Sequence, residues 1–584
     1  MFKSIIEASV RFRWFVVLAT ALVAALGLFE LTKLPIDAVP DITNRQVQIT
    51  TVAPALAPEQ IERQVTYPLE TAMAGIPGLT STRSLSRNGF SQITVIFTDQ
   101  TDIYFARQQV AERLAQARES MPEGVEPALA PITTGLGEVL MWTVDYLPFN
   151  SRNLARPGQP GWQPGGVYLT PEGERLTTPE ARATYLRTVQ DWIVAPQMRT
   201  TPGLAGVDTI GGYVKEYAVR PDAARLSAYG LGLGDLVTAL ERANTQAGAG
   251  YVQRGGEALT VRTDALASTV EDLAQAPVVN RGGLVVRVAD VASVEVGQAP
   301  RLGGASRDGH ESVLGTALMI AGGNSRTVAQ AAGERLEEVR ETLPPGIEAV
   351  TVLDRSALVN STIGTVARNL TEGALLVIVV LFLLLGNVRA SLVTAAVIPL
   401  AMLFTVIGMV RGGVSGNLMS LGALDFGLIV DGAVIIIENC LRRFGEAQHA
   451  LGRTMTREER FDLTAVATAE VIRPSLFGVG IITAVYLPIF ALSGIEGKMF
   501  HPMAITVVLA LTGAMVLSLT FVPASIAIFM GNRVEEKENR LVQWTRRRYE
   551  PLLAWSLRRQ NWVLGGALML VVVSLLLATR LGSE

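Results

Sequence analysis

Residues 417–440 read NLMSLGALDFGLIVDGAVIIIENC, an apolar run that carries three carboxylates, Asp425, Asp431 and Glu438. The run matches the roughly 20 residues that a helix needs to cross a bilayer. An ionised acid at the bilayer centre costs roughly 2.5–3.5 kcal/mol on insertion scales, so acids in such a place face a protein interior or a water path. Burial also raises the proton affinity of a carboxyl group, which lets it take up and release a proton near neutral pH. The plain alternative is that these acids pack helices and hydrogen-bond to a neighbour. At about 100° per residue, Asp431 and Glu438 fall within roughly 20° of one another, two turns apart, while Asp425 lies about 120° from Asp431.

Working outward, six further apolar stretches approach spanning length: 14–31, 370–386, 391–410, 475–492, 502–530 and 562–581. The pattern predicts seven transmembrane helices. Arg389, the group Arg442, Arg443, Arg453, Arg457, Arg460 and Arg473, and the stretch from Arg533 to Arg559 place positive charge on alternate connections, which marks them as cytoplasmic. The N-terminus is then cytoplasmic, and residues 32–367 lie outside. The basic start with Lys3, Arg11 and Arg13 resembles a signal peptide, but the long apolar run and the lack of a small-residue cleavage site favour an uncleaved first span over 1–32. Spans two to six occupy 365–530 and the seventh 561–581. Between them, 531–560 alternates apolar and charged residues at helical spacing, as an amphipathic helix on the inner membrane face or an ordinary solvated helix does. An odd helix count ending at 581 reads as the first half of a duplicated transporter, with the second half absent.

The large polar segment alternates strand and helix. Residues 33–137 read as a βαββαβ unit, with Pro-Gly turns at its joints. A second unit of the same kind is predicted in two pieces, 138–212 and 291–350, with 213–290 as an insertion marked by glycine-rich hairpin signals. The stretch PFNSRNLARPGQPGWQPGG (148–166) reads, from its composition, as a mobile surface loop.

Composition narrows the function. The 584 residues carry 50 basic and 53 acidic side chains with no concentrated cationic face, so nucleic-acid binding has no support. Hydrophobic residues make up 49% of the chain, as expected of a membrane protein with sizeable polar regions. A lone cysteine, Cys440, excludes an internal disulfide and a Cys-clustered metal site. No phosphate loop, nucleophile elbow or paired-histidine zinc motif stands in a suitable context, so an enzyme is the weakest reading.

Five stretches carry a resemblance to a known family: LPIDAVPDITNRQVQI (34–49), GLTSTRSLSRNGFSQITVIF (78–97), PITTGLGEV (131–139), LMSLGALDFGLIVDGAVIIIEN (418–439) and YLPIFALSGIEGKMFHPMA (486–504). Together they resemble the resistance-nodulation-division exporters, in the heavy-metal branch of cobalt-zinc-cadmium type. The resemblance implies a proton-driven antiporter in the inner membrane of a Gram-negative bacterium. It implies a homotrimer joined to a periplasmic adaptor and an outer-membrane channel, embedded in membrane lipid. It also implies a periplasmic α+β region of two ferredoxin-like porter subdomains with a trimer-docking insert. No cofactor is implied beyond the transported divalent metal ion and the proton motive force. In the family the acids matching Asp425, Asp431 and Glu438 serve proton coupling, and Asp431 leads. For Glu438 a second reading stands beside it, an interfacial acid satisfied by a nearby arginine.

The copper and silver branch carries methionines two before and five after the matching aspartate, where this chain has Ile429 and Ile436. Soft thioethers favour Cu(I), whereas carboxylate and imidazole suit zinc, cobalt and nickel, so a divalent ion is expected. Met402, Met409 and Met419 read as packing. Glu138 and Asp191 are the nominated metal ligands, each with an alternative as an ordinary surface or strand-end charge. His310 reads as exposed beyond a turn, His449 as cytoplasmic, and His501 as part of an outer loop with Glu496, Lys498 and Met499. Two rivals remain: export of organic compounds on the same fold, and a non-transporting membrane scaffold or sensor. Membrane-buried acids count against the scaffold.

Overall fold

A computed structural model of the chain describes all residues except 1, 38–39, 54–55, 123, 282, 302, 423–425, 532–539 and 581–584. The chain divides into two units, Met1–Ile42 with Leu358–Glu584, and Thr43–Ala357. It opens on two helices, α1 (Phe2–Arg11) and α2 (Arg13–Leu31).

The Thr43–Ala357 unit begins with β1 (Arg45–Val52), where Val47, Ile49 and Thr51 point inward by the period of two that a half-buried strand requires. A helix follows in three pieces, Pro58–Ile61, a π-turn Glu62–Thr66 and Tyr67–Met73, together α3. Then come β2 (Leu79–Arg87), β3 (Phe90–Phe97), α4 (Ile103–Ala117) and β4 (Glu126–Leu129). The sheet order is β2-β3-β1-β4, all antiparallel. Asn88-Gly89 closes β2 onto β3 as a two-residue hairpin, with Gly89 at φ 69° as such a turn needs. Ala106, Val110, Leu114 and Ala117 line one face of α4 at helical spacing and pack with Ile61, Val65, Leu69 and Met73 over the sheet.

A second module repeats this order. Its strands are β5 (Glu138–Tyr146), β9 (Leu204–Ile210), β17 (His310–Met319) and β18 (Ile347–Asp354), and β17 lies between β5 and β9. The first helix, α5, again has three pieces: Pro179–Val189, a π-turn Gln190–Val194 and Ala195–Met198. In both modules a proline follows the π-turn by one residue, at Pro68 and Pro196. Proline has no N–H and crowds the carbonyl four residues back, so the preceding N–H bonds five residues back instead, Tyr67 to Glu62 O and Ala195 to Gln190 O. The second helix of the module is α6 (Ser325–Arg340), capped by Asn324.

Residues 213–299 leave the second module as an insertion. It contains β10 (Lys215–Pro221), helices Ala223–Ala228 and Leu233–Ala243, the hairpin β11 (Thr245–Arg254) and β12 (Glu257–Ala265), the pair β13 (Pro277–Arg281) and β14 (Leu284–Arg287), and β15 (Ala292–Gln298). The sequence predicts a return to the module at 291. Instead β15 pairs with β10 over Lys215↔Gln298 to Pro221↔Ala292, so the return comes after 298, at β16 (Ala305–Arg307). Alternating apolar residues announce a strand without naming its partner.

The predicted loop 148–166 is irregular and mostly exposed over 148–160, but its end is ordered. Gly161–Gln163 (β6), Val167–Leu169 (β7) and Arg175–Leu176 (β8) form a three-stranded sheet. Trp162 and Tyr168 are buried in an aromatic cluster with Tyr146, with centroids 5.3 Å and 4.7 Å from the Tyr146 ring. Burial, with Tyr168 and Tyr185 beside it, pushes the Tyr146 phenol well above its ordinary range. Proline and glycine dominate the composition, but Trp162, packed on Tyr168 just beyond the stretch, anchors its end.

The Met1–Ile42 and Leu358–Glu584 unit contains α7 (Arg355–Leu385, which begins in the other unit), α8 (Val388–Arg411), α9 (Leu418–Gly422), α10 (Phe426–Leu451), α11 (Arg457–Tyr486), α12 (Gly494–Leu519), α13 (Phe521–Phe529), α14 (Arg540–Arg558) and α15 (Gln560–Ala578). Among the described residues six helical segments are long and apolar enough to cross a membrane, against seven predicted. The predicted span 417–440 is interrupted by residues outside the described set. Three other spans differ in extent, and the first of them, α7, starts at Arg355 rather than 370. Helix α11 starts at Arg457, far before the predicted 475, because its first turns are polar and capped by Thr456, whose Oγ1 accepts the Glu459 N–H. Predicted span 502–530 is two helices broken at Thr520, and it begins earlier, so His501 lies within α12 and its ring stands 5.9 Å from that of Phe490. Close helix contacts run through glycine: a Cβ on Gly408 would meet Leu509 at 2.7 Å, and one on Gly513 would meet the Phe404 ring at 2.8 Å.

One buried polar contact fixes the second module. Trp142 Nε1 donates to Gln190 Oε1 at 2.9 Å, with both residues fully buried, and the ring lies over Gly315, its register partner on β17. Gln190→Ala strands the indole N–H and is expected to cost about 1–3 kcal/mol, read as a lowered thermal unfolding midpoint by tryptophan fluorescence.

Candidate functional site

Helix α10 has two faces. Ile429, Val430, Ala433, Ile436, Ile437, Cys440 and Phe444 are at most 3% exposed and pack with α8, α11, α12 and α13. Asp431, Ile435, Glu438 and Arg442 are exposed and recur at the spacing that makes one stripe along the helix. The acids therefore lie on the side of α10 that this bundle leaves uncovered, not in its interior. Asp431 and Glu438 are separated by about 10 Å of helix rise. Asp425 lies outside the described residues.

The helix is held in this orientation by polar contacts that no spacing in the sequence announces. Asn439 is 6% exposed; its Nδ2 donates to Ala467 O at 2.8 Å and to Glu470 Oε2 at 3.1 Å. Arg443 grips Glu470 with two bonds, Nε to Oε2 at 3.0 Å and Nη2 to Oε1 at 2.7 Å. Two parallel N–H···O bonds fix geometry as well as charge. Arg442, expected near Glu438, donates to Asn439 Oδ1 at 2.8 Å and stands 3.6 Å from Glu446. Among the described residues Glu438 has no ion-pair partner.

Gly432, beside Asp431, lies at a crossing of three helices. A Cβ there would stand 3.1 Å from Ser518 Oγ and 3.2 Å from Ser475 Oγ. Further buried hydroxyls are spread along the packed helices, among them Thr394, Thr405, Thr468 and Thr506. Several return their proton to a backbone carbonyl four residues back, as Thr394 does to Ala390 O at 3.0 Å, and so stay satisfied in an apolar setting. Ile429 and Ile436 point about 140–160° away from Asp431, into the packed core.

The nominated metal ligands lie in the other unit. Glu138 opens β5, exposed, opposite Leu318. Asp191 sits in the π-turn of α5, where its Oδ2 accepts Arg187 Nε at 2.6 Å. This pair is visible in the sequence as Arg and Asp four apart on a helix. His310 is exposed at the start of β17. Among the described residues no three His, Cys, Asp or Glu side chains converge to hold a metal ion.

The model of the AcrB/AcrD/AcrF family matches residues 5–584. The chain belongs to this family. Within it the chain is 52% identical over its whole length to the nickel-cobalt-cadmium resistance protein NccA of Alcaligenes xylosoxydans xylosoxydans, covering 54% of that protein. It is also 52% identical to the cobalt-zinc-cadmium resistance protein CzcA of Cupriavidus metallidurans, covering 100% of this chain and 53% of the relative. To the cation efflux system protein CusA of Escherichia coli K12 it is 33% identical, again over the whole chain and 54% of the relative. A crystal structure of a heavy metal efflux pump superposes with a TM-score of 0.78 at 30% identity, covering 99% of this chain and 52% of the pump. The chain thus spans about half the length of the curated family members it matches. As a family member with spanning helices, it is a membrane protein.

The crossing at Gly432 yields a test. Gly432→Ala is expected to be tolerated, because the nearest atoms are serine hydroxyls that can rotate away. Gly432→Leu overpacks the crossing and is expected to cost about 1–3 kcal/mol or more, seen as a lower unfolding temperature in detergent.

Proposed function

We propose that this chain belongs to a proton-driven antiporter that exports divalent heavy-metal cations (zinc, cobalt, cadmium or nickel) as the inner-membrane component of a tripartite system. The carrying observation is the stripe of Asp431 and Glu438 on the uncovered face of α10. Facing lipid, each ionised acid would cost roughly 2.5–3.5 kcal/mol, so in the working transporter a further protein surface or a water file covers that stripe. Asp431 takes the proton near mid-membrane and Glu438, nearer the cytoplasmic end, receives it; Asp425 belongs to the same relay. Each proton moving down 100 mV releases about 2.3 kcal/mol before any pH gradient is counted, which biases a conformational cycle.

The divalent reading draws on two supports. Relatives at about half identity carry nickel, cobalt, cadmium and zinc in their names, and Ile429 and Ile436 leave the fourth span without a thioether ladder. Hard and borderline cations take carboxylate ligands. Glu138 is the first ligand in this reading because it is exposed and uncommitted. Asp191 joins only when Arg187 releases it, and the remaining ligands come from outside this set. A homotrimer with a periplasmic adaptor and an outer-membrane channel completes the proposed assembly, with residues 33–137 and the β5–β18 module as porter subdomains and the insertion as the docking part.

Asp431→Asn in the complete transporter is expected to abolish metal resistance at an unchanged membrane level of protein; undiminished resistance would sink the relay. Glu138→Ala is expected to weaken zinc or cobalt binding about tenfold, or about 1.4 kcal/mol, by calorimetry. Equal affinity removes Glu138 from the site.

A further inference from the structure

Where the hairpin tip of the first module meets the root of the insertion in the second, three guanidinium groups line one pocket of about 370 Å³. They belong to Arg87, Arg187 and Arg301, and no aspartate or glutamate is among the lining residues. Arg87 and Arg187 come from regular elements, and Arg301 from the connection between β15 and β16. Arg87 ends β2 beside the Asn88-Gly89 turn. That turn is anchored by Gly89 N–H donating to Leu56 O at 3.0 Å and by Gly89 O accepting Ala53 N–H at 2.8 Å. Arg187 projects from α5 and commits Nε to Asp191 at 2.6 Å and Nη1 to Gly211 O at 3.0 Å. Arg301 lies over the Tyr213 ring, 5.0 Å from its centroid, and is paired through Nη1 with Glu311.

The charges do not cancel. Asp191 and Glu311 compensate two of the three arginines, and both acids stand outside the pocket lining. Among the described residues Arg87 has no carboxylate partner; its guanidinium rests on the Phe90 ring at 4.7 Å. One positive charge is thus left over, with the whole Arg87 fork and the Nη2 groups of Arg187 and Arg301 available to donate. A planar fork matches the oxygens of a carboxylate or phosphate group in pairs, and like charges gathered in a concave, partly desolvated site favour an anion between them.

We propose that this pocket binds a small oxyanion, a carboxylate or a tetrahedral phosphate or sulfate group, with Arg87 as its principal ligand. The test is calorimetry on the full chain in detergent with citrate, inorganic phosphate and sulfate at matched chloride. Saturable binding of one anion per chain is expected. Arg87→Gln is expected to lower its affinity about tenfold, whereas Arg83→Gln, on the same strand but outside the pocket, leaves it unchanged. Preference for citrate assigns a carboxylate, and preference for phosphate or sulfate assigns a tetrahedral group. Absence of saturable binding by all three anions, or equal affinity in Arg87→Gln, would overturn the proposal.

Discussion

Hydrocarbon cannot solvate a carboxylate, and the helical unit is organised around that fact. Helix α10 separates its chemistry by angle: Ile429, Ala433, Ile436, Cys440 and Phe444 enter a dense core, and Asp431 with Glu438 occupies the opposite side. Once the acids are excluded from the core, the rest of the bundle can be packed as membrane helices usually are, by small residues and self-satisfied hydroxyls. The Asn439–Glu470–Arg443 contacts then set the rotation of α10 against α11, so the acids are presented in one direction. A helix free to turn by half a revolution would bury both carboxylates against isoleucine.

Much of this was legible from residues alone. The seven-residue spacing of Asp431 and Glu438 fixes their alignment on any helix, and hydropathy located the apolar part of each span. What hydropathy could not see was helix that continues beyond apolar residues. Arg457–Asp462 and Arg442–Leu451 are polar yet helical, so the predicted boundaries stop short of the observed ones. Composition is silent on the end of the 148–166 stretch, where Trp162, with Tyr168 just beyond it, outweighs proline and glycine neighbours because each aromatic ring buries a large area.

The direction of the acidic stripe was not legible, and for a physical reason. Periodicity says which residues share a face, but which face meets a partner depends on what the other helices bring. The apolar residues of α10 nearly encircle it, so only contact with α8, α11, α12 and α13 distinguishes core from surface. Asp191 was more readable than its nomination allowed, since Arg187 stands one turn before it. Glu470 gave no such hint, being a single acid between apolar neighbours whose partners are some thirty residues distant.

The two sheet modules share a strand order, a π-turn ahead of a proline, and a Pro-Gly-Leu entry into the second strand at Leu79 and Leu204. In the first, the second and third strands are joined by two residues, Asn88 and Gly89; in the second, the equivalent connection holds the entire 213–299 insertion. The two feet of that insertion touch, for a Cβ on Gly211 would lie 3.1 Å from Ala305 N. The pair is one fold used twice, with the hairpin tip of one copy replaced by the insertion in the other. A cassette whose ends meet in this way can be enlarged, reshaped or exchanged while both parent sheets keep their register.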